Sequence, residues 1–476
     1  MTDVLFVSLG CDKNRVDSEY MLSDLSKRGY RITDDEMTAK AAVVNTCCFI
    51  HDAKEESIQE ILALADLKET GVLEAIVVTG CLAERYYDEI IKEIPEVDAV
   101  VKIAEEGGLA DVLDEVLGES WGTGESAGTG TMTHCGGEED TLLPGKNESL
   151  YLSPVTHPRN RMLTTGTGYA YLKIAEGCDK NCTYCIIPKV RGRYVSVPEE
   201  VLIAEAKDLA AQGVTELILV AQETTLYGLD LYGEKRLPAL LKELCTIDGL
   251  KWIRLLYCYP EEITDELIEV MRSEAKILHY IDMPVQSGSD EILRRMGRRT
   301  DTASIRFVVQ KLREAMPDVC IRTTFITGFP GETAEDVRRT AAFIEETAFD
   351  RLGVFTYSAE EDTPAFSMPE QVKEVTKKMR RTRLMKLQQE ISFAAAKKMI
   401  GKTLDVIIEG YLPDEDCYVT RTYKDAPEID GYLFLNIDAD APRDLLSGTI
   451  VRARVTGAHE YDLIGEMMEE QDELTE

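Results

Sequence analysis

The reading of this chain turns on residues 169–185, YAYLKIAEGCDKNCTYC. The run at 169–175 has the length and the aromatic and aliphatic content of a buried strand. Directly after it stand Cys178, Cys182 and Cys185, spaced Cys-x-x-x-Cys-x-x-Cys. Three thiolates this close in one loop can hold three irons of a four-iron cluster and leave the fourth iron open to a substrate or cofactor. The alternative, a zinc site, calls for four ligands. No fourth Cys or His lies nearby in the sequence, since His157 and His279 are distant.

Five further apolar runs follow: ELILVAQ, WIRLLYCY, ILHYIDMPV, CIRTTFITG and RLGVFTY. Helical stretches separate them at 199–211, 262–273, 289–295, 303–315 and 334–347. Six βα repeats joined by right-handed crossovers predict a partial (βα)6 barrel with reactive loops at the C-terminal ends of its strands. Three such loops suit a polar cofactor. They carry Gln222, Glu223, Thr224 and Tyr227 after the second strand, Gln286, Ser287 and Ser289 after the fourth, and Gly328, Gly331 and Glu332 after the fifth. Their side chains offer hydrogen bonds to amino, carboxylate and hydroxyl groups, and the glycines allow close backbone approach. Singly each is an ordinary polar strand ending; beside the cysteine loop they gain weight together. RRMGRR places Arg294, Arg295, Arg298 and Arg299 near the same face. For most of these a solvated helix end is the favoured reading, while one could contact a cofactor carboxylate.

Upstream, VLFVSLG, AAVVNT and EAIVVTG alternate with helical stretches at 18–27, 55–67 and 84–94, which predicts a doubly wound parallel-sheet α/β domain. Each of those strands ends on a cysteine: Cys11, Cys47 and Cys81. Loops at the C-terminal ends of neighbouring strands converge on one crevice, so these cysteines can form a second cluster site with one open iron. The alternative is three buried cysteines acting as small apolar residues. Cys48 points away from the crevice if Cys47 points in, and reads as packing. Cys135, Cys245, Cys258, Cys320 and Cys417 read as structural. The five histidines show no paired spacing, so neither a His metal site nor a Ser/His/Asp triad is indicated.

From Gly118 to Asn147 the composition turns to Gly, Thr, Ser and acid, predicting a flexible surface excursion. A helix at 371–399 carries Lys373, Lys377, Lys378, Arg380, Arg381, Arg383, Lys386, Lys397 and Lys398 against Glu374 and Glu390. It could meet RNA, but a bridging helix that pairs with acidic neighbours is the favoured reading. Short alternating strands from 402 to 465 predict a small antiparallel β-barrel, and residues 401–476 carry a net charge of −13. The expected domains are 1–117, an excursion and linker at 118–164, the partial barrel with its basic helix at 165–399, and the acidic barrel and tail at 400–476.

Lys and Arg number 53 against 87 Asp and Glu, a net charge of −34, which excludes binding nucleic acid through a broad basic surface. No run reaches the ~18 apolar residues of a membrane span, and no signal peptide opens the chain, so a cytoplasmic protein without membrane contact is expected. Twelve cysteines in a reducing compartment are more often metal ligands or catalytic groups than disulfides.

GCDKNCTYC resembles the radical S-adenosylmethionine signature. Together with SLGCDKN, VVNTCCFI, VVTGC, MPVQSGS, TGFPGET and the terminal barrel, it makes nearly the whole chain, apart from the Gly-rich excursion, resemble the methylthiotransferase family. DAPEIDG (425–431) and YDLIGE resemble the branch that modifies an aspartate of ribosomal protein S12 rather than the branch that modifies a tRNA adenosine. The acidic barrel agrees, because it should repel RNA and attract a basic ribosomal protein. VNTCCFI departs from the family in having Cys48 where a small residue such as Gly is expected.

The resemblance implies two 4Fe-4S clusters and S-adenosylmethionine. Cys178, Cys182 and Cys185 would hold the cluster that cleaves the cofactor to a 5′-deoxyadenosyl radical. Cys11, Cys47 and Cys81 would hold the cluster that carries the transferred sulfur. Tyr184 is expected near the adenine, with Gln222, Glu223, Gln286, Ser287 and Gly328 binding the cofactor, and an external electron donor is required. The competing readings are a tRNA methylthiotransferase, or a non-catalytic iron-sulfur electron carrier, for which the six-repeat barrel with its polar loops would be superfluous.

Overall fold

Residues 2–118, 160–166, 168–437 and 443–468 are described in the computed structural model of this chain. The excursion at 119–147, with His134 and Cys135, lies outside the described residues, as does His157. The chain divides into two compact units, Met1–Val155 and Thr156–Glu476.

In the first unit, strands β1 (Asp3–Ser8), β2 (Arg31–Thr33), β3 (Ala41–Thr46), β4 (Ala75–Gly80) and β5 (Ala99–Val101) form a parallel sheet in the order β2-β1-β3-β4-β5. β3 and β4 are buried at every position, as strands covered by helices on both faces must be. The edge strands β2 and β5 went unread in the sequence because three residues are too few to carry a period. The helix expected at 18–27 starts earlier, at Asp12, directly after Cys11. The helix expected at 84–94 is instead two, Cys81–Arg85 and Tyr87–Glu93, because Tyr86 (φ −123°, ψ 36°) leaves the helical region. The strand order reverses between β1 and β3, and in sheets of this order ligands bind outside the carboxyl ends at that point.

In the second unit, β6 (Tyr169–Lys173) opens the barrel. A two-stranded ribbon of β7 (Ala175–Glu176) and β8 (Val195–Ser196) follows, flanking the cysteine loop. The barrel continues through β9 (Glu216–Val220), β10 (Trp252–Leu255), β11 (Ile277–Asp282), β12 (Cys320–Thr327) and β13 (Arg351–Thr356). Its order, β13-β12-β11-β10-β9-β6, is parallel throughout, so the six runs read from the sequence form one open six-stranded wall. Leu172, Leu219, Leu255, Ile281 and Phe325 are fully buried in its core. The helix Leu237–Cys245 lies in a stretch the sequence reading left without an element; Pro238 sits in its first turn, where the missing N–H costs nothing.

The helix Glu374–Lys397 packs along β13, with Arg381 Nε donating to the Val354 carbonyl (3.0 Å) and Gln388 Nε2 to the Phe349 carbonyl (2.8 Å). Ala396 near its end joins the core of the last domain. It is thus a bridging helix. Two of its cations pair with acid, Lys377 with Glu374 and Arg380 with Glu332 (2.7 Å), while Lys378, Arg383 and Lys386 stay exposed. Strands β14 (Thr403–Leu412), β15 (Cys417–Thr422), β16 (Leu433–Asn436), β17 (Ile450–Ala458) and β18 (Leu463–Met467) close a barrel in the order β14-β15-β16-β18-β17, around Val406, Tyr418, Leu433 and Val455.

Candidate functional sites

The loop after β6 and β7 is held from several sides. Gly177 has φ +75°, and a Cβ there would meet the Arg193 carbonyl at 2.0 Å, so the position requires glycine. Cys178 N–H donates to the Gly192 carbonyl (3.2 Å), Cys185 N–H to the Cys182 carbonyl (3.0 Å), and Thr183 N–H to the Met296 carbonyl (2.9 Å). Cys178 and Cys182 are buried and Cys185 is half-buried. Burial pushes the Cys178 thiol up to about 11, and Cys182 beside it adds to the shift. The Cys185 thiol is raised too, by burial first and then by Cys182 and Cys178, so the three sulfurs lie within one another's field. Metal coordination is what would draw the protons from such thiols. Among the described residues no three His, Cys, Asp or Glu side chains are placed to hold a single ion.

The strand-end residues across from this loop supply acceptors. Gln222 Oε1, Glu223 Oε2 and Gln286 Oε1 are buried side-chain oxygens that accept no hydrogen bond. A cofactor with an ammonium and ribose hydroxyls would satisfy them, and leaving them bare is costly. Glu223 lies wholly within the protein, and burial pushes its carboxyl up to about 8 against the hydrogen bond from Thr225 and the charge of Lys180, whose Nζ is 3.9 Å away. The amide of Gln222 donates to Glu176. Burial favours the neutral form of Glu176, but Lys173 (2.7 Å) and Arg191 (3.2 Å) outweigh it and hold the carboxyl at about 2. Gln286 has φ +77°, and its N–H and carbonyl bridge to Thr324 and Ile326 at 2.8 Å each.

The other sequence candidates are engaged differently. Tyr184 packs with Ile292, Met296, Phe329 and Tyr357, next to Cys182. Ser287 Oγ accepts from Ser289 N–H (3.2 Å) at the start of the helix Asp290–Arg295. Gly328 N–H donates to Glu332 Oε2 (2.7 Å), and a Cβ on Gly328 would meet Lys377 Cγ at 2.3 Å, so this glycine seats the bridging helix. The residues that the sequence reading missed, Glu176, Lys180 and Tyr259, all lie within a few positions of a strand end or a cysteine of the 178–185 loop. That placement was the available signal.

In the first unit, the loops carrying Cys11, Cys47 and Cys81 meet at the switch point. Gly10 (φ +100°) brings its backbone so close that a Cβ would lie 3.1 Å from Cys47 Sγ. Gly80 (φ +90°) lies against the backbone of Thr46. Asn14, fully buried, ties all three loops: its Nδ2 donates to the carbonyls of Leu9 (3.0 Å) and Thr46 (2.9 Å), and its Oδ1 lies 3.7 Å from Cys81 Sγ. Asn45 Nδ2 donates to the Asn14 carbonyl (3.0 Å) and to Ser18 Oγ (2.9 Å). Cys48 is fully buried with its thiol on the Cys81 carbonyl (3.1 Å).

Comparison with known proteins gives three family matches: the radical SAM superfamily over residues 172–344, the uncharacterized protein family UPF0004 over 3–102, and the TRAM domain over 400–468. Across 97% of its length the chain is 52% identical to the ribosomal protein uS12 methylthiotransferase RimO of Lachnoclostridium phytofermentans, covering 99% of that protein. It is 44% identical to the protein of the same name from Thermoanaerobacter sp. strain X514, over 98% of this chain and 100% of that one. Among solved structures, the radical S-adenosylmethionine methyltransferase TsrM from Kitasatospora setae superposes with a TM-score of 0.54 at 16% identity. The match covers 77% of this chain and 74% of TsrM, a likeness of fold alone.

Proposed function

The chain belongs to the ribosomal protein uS12 methylthiotransferase family, and from that membership we propose that its two cysteine sets share one reaction, adding a methylthio group to the β-carbon of an aspartate of uS12. It is a radical S-adenosylmethionine enzyme. A 4Fe-4S cluster and S-adenosylmethionine, when bound, supply the one-electron chemistry that breaks an unactivated C–H bond, which no side chain is basic enough to do.

This chain's residues do the rest. Cys178, Cys182 and Cys185 hold three irons and leave the fourth open. Gln222, Glu223 and Gln286 turn their unsatisfied oxygens to the cofactor's donors, and a Glu223 that keeps its proton to about pH 8 can also donate. Tyr184 walls the adenine side, and Ser287 and Gly328 hold the loops that shape the pocket. Cys11, Cys47 and Cys81 hold a second 4Fe-4S cluster at the switch point, the seat of the transferred sulfur. The observation that supports the substrate is identity over nearly the whole of both chains, terminal barrel included.

The partner is a basic protein, suited to the exposed Asp414 and Glu415 at one barrel hairpin. An external one-electron donor is needed. Lys378, Arg383 and Lys386 on the bridging helix offer a secondary contact to RNA if uS12 is met on the ribosome. No helix among the described residues is long and apolar enough to cross a membrane, and a ribosomal substrate would place the work in the cytoplasm.

The test is anaerobic. Reconstituted enzyme, S-adenosylmethionine and reductant are offered uS12 and an anticodon stem-loop in parallel, with mass spectrometry of each. The expected result is methylthio mass on uS12 alone; mass on the RNA alone would reverse the substrate assignment. Cys178→Ala should abolish 5′-deoxyadenosine formation and leave the iron of the first unit, whereas Cys11→Ala should keep that formation and lose the product. Equal loss of both in both variants would mean a single shared site.

A further inference from the structure

The four arginines of RRMGRR separate sharply. Arg294 is exposed and pairs with Glu291, Arg295 reaches Glu370 (3.1 Å), and Arg299 is exposed. Arg298 is turned inward and is only 7% exposed. Its Nη1 lies 3.9 Å from Cys182 Sγ, its Nη2 donates to the Pro284 carbonyl (2.8 Å), and its guanidinium lies over the ring of Tyr259, 4.2 Å from the centroid. Lys180 also stands over Tyr259, at 5.0 Å, but its charge is taken up by Glu262 and by Glu261 (3.5 Å). The hydrogen bonds of Arg298 go to a carbonyl and to the Cys182 sulfur, so its positive charge is directed at that sulfur.

A cluster bound by three thiolates becomes more negative when it accepts an electron. A fixed cation at a ligand sulfur, in a site with little water, favours the reduced form, and donors to cluster sulfurs act in the same direction. We propose that Arg298 is a positioning residue that sets the reduction potential of the cluster on Cys178, Cys182 and Cys185, acting through the Cys182 sulfur. Stacking on Tyr259 and the bond to Pro284 fix the guanidinium plane, so its field at the sulfur does not average away. The inference rests on the reading that those three cysteines carry the cluster.

The test is a potentiometric titration of the full-length reconstituted protein, followed by electron paramagnetic resonance of the cluster whose signal responds to S-adenosylmethionine. In R298M, which keeps the length and loses the charge, the reduced-to-oxidised ratio at the wild-type midpoint should fall about tenfold, equivalent to ~59 mV for one electron. R298K should stay within about twofold of wild type, and the other cluster's midpoint should not move in either variant. An unchanged R298M, or an R298K lowered as far as R298M, overturns the proposal. If R298M alone loses this cluster by iron count, the R298K midpoint decides; loss from both makes Arg298 a packing residue and also overturns it. The site reading fails separately, if C178A/C182A/C185A binds as much iron as wild type.

Discussion

Asn14 joins three strand ends with one side chain, and it can do so because it sits one helical turn past Cys11, where the helix Asp12–Arg28 points its first turn into the sheet crevice. With both donors used on carbonyls and its oxygen near Cys81, a change to Ala frees two buried carbonyls and the loop spacing together. Asn14→Ala should therefore keep the radical cluster and lose the other, so that total iron falls to about half, read by iron assay and by retained 5′-deoxyadenosine formation. Glu223 carries a different kind of stress. Its carboxyl keeps a proton to about pH 8 in the folded chain, against an ordinary value of 4.5 in the unfolded one. Between those values the native state binds the extra proton, so its stability falls as pH rises. Glu223→Gln should flatten the fall by about 1.4 kcal/mol per pH unit between roughly pH 5 and 8, measured by denaturant unfolding across that range. A slope equal to wild type would mean that the group is solvated after all.

At the level of elements, the strand ends are where the backbone departs from comfort. Asn181 (φ 54°), Tyr257 (φ 60°) and Gln286 (φ 77°) are non-glycine residues in the left-handed region, one inside the cysteine loop and two just past β10 and β11. Such conformations cost about 1–3 kcal/mol each and persist where surrounding contacts impose them. In the first unit glycine fills the same need at positions 10 and 80, immediately before two of the cysteines. A Cβ on Gly80 would lie 2.5 Å from the Thr46 carbonyl oxygen and 2.6 Å from the Thr46 nitrogen, backbone contacts that no side-chain rotation relieves. Gly80→Ala should destabilise the protein by at least ~2 kcal/mol and empty the first unit's iron site, visible as a lowered Tm and lost iron. The charge of the helix favours a bridging role over an RNA contact, yet its charge pattern does not disclose which cations are spent on docking. Arg380 and Arg381 bond inward while Arg383 and Lys386 face out, a difference set by the helical phase against β13.

On the scale of the second unit, the stretch DAPEIDG, which resembles the uS12-modifying branch, also has a structural task. Residues 423–430 of the terminal barrel close the N-terminal end of the open (βα)6 wall, opposite the cysteine loop. Tyr423 accepts from Arg254 (2.8 Å), Asp425 pairs with Arg351, Asp430 accepts from Tyr280 (2.7 Å) and pairs with Arg322 (3.4 Å), and Glu428 accepts from Tyr169 (3.1 Å). Asp425 and Asp430 are thus neutralised inside the protein and Asp416 is paired with Arg443 (2.9 Å), so the exposed acids left for a basic partner include Asp405, Asp414, Glu415, Asp444 and Glu460. Behind the plug, Glu216 lies between Arg254 (2.6 Å) and Arg421 (2.7 Å), all three fully buried. Burial favours a protonated Glu216, but the two guanidinium groups overcome it and lower its pKa. Removing one partner of a buried pair leaves charge uncompensated, so Arg421→Met should cost about 3 kcal/mol, seen by calorimetry on the full chain. A neutral outcome would mean that Arg254 alone satisfies Glu216.

By itself the sequence determined the six barrel strands, the parallel sheet before them, the closed barrel after them and the position of Cys11, Cys47, Cys81 and Cys178 just past strand ends. Those features follow from periodicity and spacing along a local stretch, which a chain carries in its order of residues. The matches over nearly the full length then attached the family. Only the tertiary structure decided which of four arginines turns in to Cys182, that Asn14 ties three loops, that Gln222, Glu223 and Gln286 share unsatisfied oxygens, and that DAPEIDG is a plug. Each of these depends on partners 32 to 259 positions apart, brought together by sheet order and helical phase, and no local pattern encodes such distances.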